Sequence, residues 1–163
     1  MPQVHIRSAA LTDLPAITAI YRDAVLYGTA TFELDPPDLA EMTRRYETLT
    51  GNGFPYLVAV REDVVVGYAY AGPYRPRPAY RFTVENSVYL DPAFYRRGIG
   101  TALLKELITQ CTALGYRQMI AVIGGAEPAS AALHARAGFR ESGRMRSVGR
   151  KHGRWLDTLY MQR

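Results

Sequence analysis

The segment that decides the fold is Ser87-Val88-Tyr89-Leu90-Asp91-Pro92-Ala93-Phe94-Tyr95-Arg96-Arg97-Gly98-Ile99-Gly100-Thr101. An apolar, β-branched run ends at Asp91-Pro92 and predicts a strand, while the apolar residues after Thr101 recur at helical spacing. Between them lies a loop with two arginines and two glycines. The first N–H groups of a helix have no partner within it and carry partial positive charge. The segment therefore predicts a site for a phosphate or pyrophosphate.

This loop matches neither of two common phosphate-binding motifs. It lacks the Gly-x-x-x-x-Gly-Lys-Ser/Thr of a P-loop. Leu103 stands where a Gly-x-Gly-x-x-Gly dinucleotide motif has its third glycine. A tight strand-to-helix turn with solvated arginines is the alternative interpretation of the loop.

Length and composition indicate one globular domain. The chain has 163 residues, 48% hydrophobic and 21% charged, without repeats or a composition break, so residues 1–163 are expected to form a single domain. The one cysteine, Cys111, has no disulfide partner in the chain, which indicates a reducing compartment. The sequence shows no signal peptide and no apolar run of membrane-spanning length. We therefore predict a cytoplasmic protein with no membrane partner.

The charge favours an anionic small molecule over nucleic acid. The formal net charge is +5 at pH 7, which is compatible with either partner. The arginines gather in short loops, around 75–81, 96–97 and 144–154, rather than along one helix face. No nucleic-acid-binding motif is present, so no nucleic-acid partner is expected. The three histidines are scattered without ligand spacing, and no metal site is predicted.

Periodicity and turn residues predict seven strands and four helices. The predicted strands cover residues 4–7, 56–60, 64–71, 82–90, 118–123, 139–145 and 156–161. The predicted helices begin after Thr12 or Asp13 and end at Gly28, begin at Asp35 or Asp38 and end near Leu49, and cover 101–114 and 128–137. This order predicts a mixed α/β domain whose mainly antiparallel sheet has helices on both faces.

The chain resembles the GNAT superfamily of N-acetyltransferases over nearly its whole length. The likeness rests on the element order, the loop at Tyr95 to Gly100 and the downstream segment Ser130 to Phe139. It implies a GNAT-like fold and acetyl-CoA as the co-substrate. In that superfamily the loop binds the pyrophosphate of acetyl-CoA, and the preceding strand diverges from its neighbour to bind the pantetheine arm.

A narrower resemblance is to the phosphinothricin and methionine sulfoximine N-acetyltransferases. It is carried by four segments, which are 70–75, 83–89, 121–124 and 149–157. It implies transfer of an acetyl group to the primary amine of a small amino-acid-like substrate, such as phosphinothricin, methionine sulfoximine or methionine sulfone. The family generally forms homodimers, and the exposed aromatic hairpin around Trp155 is consistent with one.

Two positions depart from the family pattern. Tyr95 stands where the phosphate-binding loop usually opens with Gln or Arg, although Arg96 and Arg97 can supply the charge. Glu127 stands where the later helix usually has an Asn that touches the CoA arm. A carboxylate cannot donate the amide hydrogen bond, and it would face an anionic ligand. We therefore expect Glu127 to weaken acetyl-CoA binding.

Two residues are candidates for the chemistry. Glu85 matches the glutamate of Thr-Val-Glu in the resembled family and is expected to deprotonate the ammonium, directly or through water, with a pKa raised by its apolar strand. The alternative is a structural ion pair with Arg75 or Arg81. His134 stands where many GNAT enzymes have a tyrosine that protonates the leaving thiolate, and the alternative is a histidine that only packs or caps.

Binding residues follow from the same resemblance. The N–H of Val88 or Tyr89 is expected to bind the thioester carbonyl. The cofactor-binding set is Val88, Tyr89, Leu90, Tyr95, Arg96, Arg97, Gly98, Ile99, Gly100, Thr101 and Ser130. The substrate-binding set is Thr31, Phe32, Arg75, Arg77, Tyr80 and Glu85. The arginines would hold a carboxylate or phosphinate, although a solvated loop, and for Phe32 simple core packing, explains the same residues.

Other functions remain open from the sequence. The same chemistry could serve a polyamine, an aminoglycoside or a protein N-terminus, although an arginine-lined pocket repels cationic amines. A non-catalytic acyl-CoA sensor or a nucleic-acid-binding module is a further alternative, and Tyr95 and Glu127 are compatible with it.

Overall fold

The computed structural model describes residues 3–163, so the first two residues of the predicted domain 1–163 lie outside the described residues. A seven-stranded sheet has the order β1-β2-β3-β4-β5-β7-β6. Its strands are β1 (His5–Ser8), β2 (Tyr56–Arg61), β3 (Val64–Pro73), β4 (Thr83–Leu90), β5 (Gln118–Gly124), β6 (Arg140–Lys151) and β7 (Arg154–Gln162). The helices are α1 (Leu14–Tyr27), α2 (Leu39–Gly51), α3 (Ile99–Ala113) and α4 (Pro128–Arg136).

The helices cover both faces of the sheet, as predicted. On one face, α1 and α2 pack on a tyrosine-rich surface with Tyr56 and Tyr68 at its centre. On the other face, α3 buries Leu103, Leu104 and Leu107 against aliphatic residues of the central strands. Burial of such apolar surface supplies the main driving force for folding. Among the described strands, β4 and β5 form the one parallel pair, so the mainly antiparallel sheet is also confirmed.

Turns close the two hairpins where positive φ angles are needed. In the β2–β3 hairpin, Glu62 and Asp63 have φ angles of 49° and 63°. In the β6–β7 hairpin, Lys151 pairs with Arg154, and the two residues between them have φ angles of 52° and 70°. Such φ angles give a two-residue turn the twist of its flanking strands.

Several predicted boundaries were wrong. The last two strands, predicted at 139–145 and 156–161, extend to Lys151 and begin at Arg154. The sequence hides this because side chains of β6 are largely exposed and its register shifts between Met145 and Gly149, which breaks the apolar alternation. Helix α3 begins at Ile99 rather than Thr101. Of the two N-cap candidates for α2, Asp38 caps it by accepting from the N–H of Glu41 at 2.8 Å.

Asp13 is the N-cap residue of α1, but its side chain makes no capping hydrogen bond to that helix. Its buried carboxylate accepts from the Arg7 guanidinium at 2.7 and 2.9 Å and from the N–H of Ala10 at 2.8 Å, so it fastens β1 to the start of α1. The hydrogen bond from Arg7 is the largest cause that holds the pKa of Asp13 below its ordinary value. The bond therefore favours the charged carboxylate.

Asp13→Asn is expected to lower the free energy of unfolding by about 1–3 kcal/mol near neutral pH, because a charge-assisted bond to a buried group is lost. Since the pKa is lowered in the folded state, this stabilisation is present above the ordinary aspartate pKa and is lost as pH falls through the lowered one. Urea unfolding of both proteins across pH checks this. The exposed Asp23→Asn on α1 is the matched control, and an equal loss in both variants would contradict the assignment.

Candidate active site

The site lies where β4 and β5 separate. The parallel pairing runs from Thr83–Gln118 to Asn86–Ala121 and then stops. Beyond that point β4 stays paired with β3 as far as Leu90, while β5 stays paired with β7. A gap therefore opens between two neighbouring strands, and the backbone groups of β4 on that side have no strand partner.

The hydrogen-bond register identifies which groups face the gap. The N–H of Asp91 donates to the Val66 carbonyl at 2.9 Å, and the carbonyl of Thr83 accepts from Tyr74 at 3.4 Å. Odd-numbered residues of β4 thus pair with β3, and in an antiparallel pair the two directions alternate along the strand. Val88 therefore directs its N–H and carbonyl into the gap. Of the two predicted oxyanion donors, this favours Val88 over Tyr89.

A cavity of about 260 Å³ occupies the gap. It brings together seven of the predicted site residues, which are Thr31, Phe32, Glu85, Val88, Tyr89, Ser130 and His134. Its remaining walls come from Ala30, Asn86, Ser87, Ala121, Val122, Ile123, Gly124 and Thr158. The cavity thus joins the α1–α2 loop, β4, β5, α4 and β7 in one place.

Glu85 is half-buried on the wall of this cavity. Burial raises the pKa of its carboxyl above the ordinary value, and the positive charge of Arg75 offsets only part of that effect. Within residues 3–163, Glu85 forms no ion pair with Arg75 or Arg81. Those guanidinium groups lie instead over the rings of Tyr74 and Phe82, at 4.6 and 4.4 Å. The structural ion pair considered from the sequence is not formed, and the carboxylate is suited to accept a proton.

His134 is buried on α4 with both ring nitrogens occupied. Nδ1 lies 2.8 Å from the Ser130 carbonyl, which can only accept, so Nδ1 carries the proton. Nε2 lies 2.9 Å from Nδ2 of Asn86 and accepts its N–H. Burial lowers the pKa of the ring. A neutral ring with no proton on Nε2 favours packing over the donation of a proton to a thiolate.

The α1–α2 loop is fixed by a connected polar network. The Tyr21 hydroxyl lies 2.7 Å from a Glu33 oxygen and 2.9 Å from the Thr31 hydroxyl, while Arg45 on α2 donates to Glu33 at 2.6 Å. Lys151 is buried on β6 and donates to the Thr31 carbonyl at 2.8 Å. Burial raises the pKa of Glu33, but hydrogen bonds from Arg45 and Tyr21 outweigh it and hold the pKa low. The cavity wall at Thr31 and Phe32 is therefore held from α1, α2 and β6.

Two glycines allow this loop to pack closely against the sheet. A Cβ added to Gly124 would stand 2.7 Å from the Thr29 carbonyl, and one added to Gly149 would overlap the Phe32 ring. Neither position has a positive φ, so the requirement is for space and not for backbone freedom. The Phe32 ring therefore lies directly against the backbone of β6 at Gly149 and lines the cavity.

Three of the predicted substrate residues lie outside the cavity wall. Arg75, Arg77 and Tyr80 are on the exposed β3–β4 loop, at the end of the sheet where β4 begins. Arg75 is near enough to lower the pKa of Glu85, and Tyr80 packs edge-on against Tyr74. These three exposed residues form a rim on one loop, with Arg75 near Glu85, and their predicted role in binding the substrate stays a prediction.

The predicted phosphate loop has the expected shape. Gly98 has a φ of 77° with open space where a Cβ would be, and it precedes the first turn of α3. The N–H groups of that turn are free of intrahelical partners, as a phosphate requires. Arg97 lies over the Phe94 ring at 5.5 Å, and Arg96 is exposed. This geometry is compatible with the predicted phosphate site, which stays a prediction.

Sequence reasoning missed Asn86 and the residues that fasten the loop. An amide inside an apolar strand requires a hydrogen-bond partner when it is buried, which was a usable signal for Asn86. No comparable signal marks Lys151 in the sequence, because nothing in a run of basic residues shows which one is buried. Tyr21, Glu33 and Arg45 come together only through the packing of α1 and α2.

Comparison with known proteins assigns the chain to a class. A model of the acetyltransferase (GNAT) family matches residues 16–139, so the chain belongs to this family. It is an N-acetyltransferase that uses acetyl-CoA as co-substrate. The fold and reaction class predicted from the sequence are confirmed.

Individual similar proteins indicate a narrower group within this family. The chain is 52% identical over 152 residues to phosphinothricin N-acetyltransferase of Alcaligenes faecalis, covering 93% of this chain and 77% of that protein. It is 44% identical over 158 residues to the L-methionine sulfoximine/L-methionine sulfone acetyltransferase of Pseudomonas aeruginosa, covering 96% and 92%. A crystal structure of a phosphinothricin acetyltransferase from Sinorhizobium meliloti in complex with acetyl-CoA has a TM-score of 0.97 and 58% identity, covering 98% and 87%. The narrower resemblance is thereby confirmed.

Substituting alanine for Gly149 is expected to displace the Phe32 ring and raise KM for the acceptor about tenfold, because the ring has no space beside a Cβ. KM for acetyl-CoA should stay within about twofold, since the change is remote from the phosphate loop. Steady-state kinetics with each substrate varied in turn checks both values.

Gly143→Ala is the matched control for this substitution. It lies on the same strand, and an added Cβ there meets nothing within 4 Å. If Gly143→Ala raises the acceptor KM as much as Gly149→Ala does, the effect comes from the backbone of β6 and not from the contact between Phe32 and Gly149.

Proposed function

We propose that this enzyme transfers the acetyl group of acetyl-CoA to the primary amine of a small amino-acid-like substrate of the phosphinothricin, methionine sulfoximine or methionine sulfone type. The observation that carries the proposal is the shared cavity. In it, the half-buried Glu85 with a raised pKa faces the same space as the free backbone N–H of Val88. The two relatives named as phosphinothricin N-acetyltransferase and L-methionine sulfoximine/L-methionine sulfone acetyltransferase support an amino-acid-like acceptor.

Acetyl-CoA is proposed to lie along the gap between β4 and β5. Its pyrophosphate would be held by the loop and first turn of α3, with Tyr95, Arg96, Arg97, Gly98, Ile99, Gly100 and Thr101. The pantetheine arm would pair with the free backbone groups of Val88 and Leu90, with Tyr89 beside them and Ser130 at the N-terminal turn of α4. This placement brings the thioester to the cavity that Glu85 lines.

The reaction is a direct attack on the thioester. Glu85 takes a proton from the substrate ammonium, directly or through a water molecule, because the cation is no nucleophile. The nitrogen then bonds to the acetyl carbon, and the N–H of Val88 stabilises the oxyanion. The C–S bond breaks, and a further amine proton leaves with the sulfur as the CoA thiol. His134 is retained at the site as a positioning residue, because its Nε2 accepts and does not donate.

The acceptor is proposed to enter between the loop at Thr31 and Phe32 and the rim at Arg75, Arg77 and Tyr80. Arg75 and Arg77 would pair with the carboxylate or phosphinate of the substrate. The same arginines disfavour polyamines and aminoglycosides, which carry several positive charges. An anionic acceptor is therefore preferred over a cationic one.

We infer that residues 1–163 act as one domain, in a cytoplasmic homodimer whose activity confers resistance to toxic amino-acid analogues. Exposed apolar residues on the β6–β7 hairpin support the dimer, with Trp155 62%, Met145 51% and Val148 49% exposed. The unpaired Cys111 supports a reducing compartment. No helix among residues 3–163 has the length and apolar character needed to cross a membrane.

Glu85→Gln is expected to lower kcat/KM on the order of 10²- to 10⁴-fold, because the amide cannot accept the ammonium proton. In the unsubstituted enzyme kcat/KM should fall as pH drops through the raised pKa of Glu85, above the range of an ordinary glutamate. In Glu85→Gln, kcat/KM should not show this fall as the pH drops. Thiol release from acetyl-CoA measures both, with phosphinothricin, methionine sulfoximine, methionine sulfone, spermidine and an aminoglycoside as acceptors.

The exposed Glu47→Gln on α2 is the control and should match the unsubstituted enzyme. Thiol release only with the cationic amines would overturn the acceptor class and remove the role of Arg75. If acetyl-CoA raises the melting temperature while no amine is acetylated, the protein is a sensor of acyl-CoA.

Glu127→Gln is expected to lower the Kd for acetyl-CoA about two- to fivefold. Glu127 is at the N-cap of α4. Burial is the largest cause that raises the pKa of Tyr95 on the phosphate loop, and the charges of Asp91 and Glu127 add to it, so Glu127 lies close to the expected phosphates. Removing a like charge there reduces repulsion, and the gain should shrink at high salt. Isothermal titration at two salt concentrations checks this, with the exposed Glu141→Gln as control. An unchanged or higher Kd would contradict the placement of the phosphates.

A further inference from the structure

Asn86 is a buried amide at the end of the β4–β5 pairing. It is 6% exposed and forms the last parallel pair, with Ala121, before the strands separate. Its Nδ2 lies 2.9 Å from Nε2 of His134 on α4. The contact therefore connects β4 to α4 at the closed end of the gap.

The partners around His134 allow one orientation of this amide. Nδ1 of the ring donates to the Ser130 carbonyl, so a neutral ring has only a lone pair at Nε2, and the Asn86 N–H must point to it. Oδ1 of Asn86 is then buried without a partner. Turning the amide would instead place its carbonyl against Nε2, which would require a second proton and therefore a charge on the buried ring. One unpaired acceptor is the smaller cost.

The elements packed on α4 bring few charges to this ring. Strand β5 carries no ionisable side chain. Strand β7 carries Arg154, Asp157 and Tyr160, of which Asp157 accepts from Arg144 and from the N–H of Ser147. Lys105 and Glu106 lie on α3, and burial rather than a charged neighbour lowers the pKa of the ring. Glu85 precedes Asn86 on β4 and points to the opposite face of the sheet. The state of the ring is therefore set by Asn86, Ser130 and burial.

We propose that Asn86 is a positioning residue for acetyl transfer: its amide holds Nε2 of His134 as an acceptor, keeps the ring in the neutral Nδ1–H form, and so fixes α4 against β4 where the acetyl-CoA arm enters. The activity part of this proposal rests on the proposed function. The assignment of the ring's tautomer does not, because it concerns the protein without substrate.

Nitrogen-15 NMR of the histidine rings tests the tautomer directly. In the unsubstituted protein His134 should show the neutral Nδ1–H form at neutral pH, because burial lowers its pKa and the Asn86 N–H occupies Nε2. In Asn86→Asp the new carboxylate faces Nε2, so the pKa of the ring should rise and the ring should be cationic at neutral pH. His5→Gln and His152→Gln assign the signals.

The chain's other asparagine provides the matched control. Asn52 caps the end of α2 and donates to the Thr48 carbonyl, so Asn52→Asp introduces the same charge far from α4 and should leave the His134 signals unchanged. An Nε2–H form of His134 in the unsubstituted protein, or a cationic ring there at neutral pH, would overturn the proposal. Neither result depends on whether any amine is acetylated.

Kinetics distinguish positioning from a general loss of structure. Asn86→Leu keeps the branched shape of the side chain but removes the donor, and it should raise KM for acetyl-CoA about three- to tenfold with the acceptor KM nearly unchanged. In Asn86→Asp, which keeps the contact, a new pH dependence that follows the NMR titration of His134 is expected in kcat. Equal changes in both KM values for Asn86→Leu, or the unsubstituted pH profile for Asn86→Asp, would overturn the positioning role.

Discussion

The separation of β4 from β5 is the constraint on which the site depends. A sheet normally satisfies every backbone group of an inner strand, yet here the pairing stops after Asn86–Ala121, and the next residues of β4 have β3 on one side only. The unsatisfied groups are tolerable because an amide-bearing ligand can take the place of the missing strand. The pantetheine arm that we propose to lie here is such a ligand, so its binding would offset the cost of the broken ladder.

The alternation of side chains along β4 then divides the chemistry between two faces. Glu85 and Tyr89 point toward α1 and α2, whereas Asn86 and Val88 point toward α3 and α4. One strand therefore supplies the proposed base on one face and the contact to α4 on the other.

The sequence predicted the features that depend on local pattern. The apolar run before Asp91, the glycines of the phosphate loop and the helical spacing after Thr101 are all local, and the structure contains each. Contacts across long separations were not accessible. The bond between Lys151 and Thr31 spans 120 residues, and the partner of Asn86 is 48 residues away. The exposed β6 was also misjudged, since a strand with little buried surface lacks the alternation on which strand prediction depends.

The polar network around the α1–α2 loop fixes the path of the loop backbone, but it does not determine the size of the pocket. Every hydrogen bond that holds the loop in this network involves Thr31 or Glu33, and none involves the ring of Phe32. A smaller side chain at position 32 would thus enlarge the site while the backbone around it stays fastened. A single substitution at position 32 can therefore change the range of acceptors without any change in the surrounding fold.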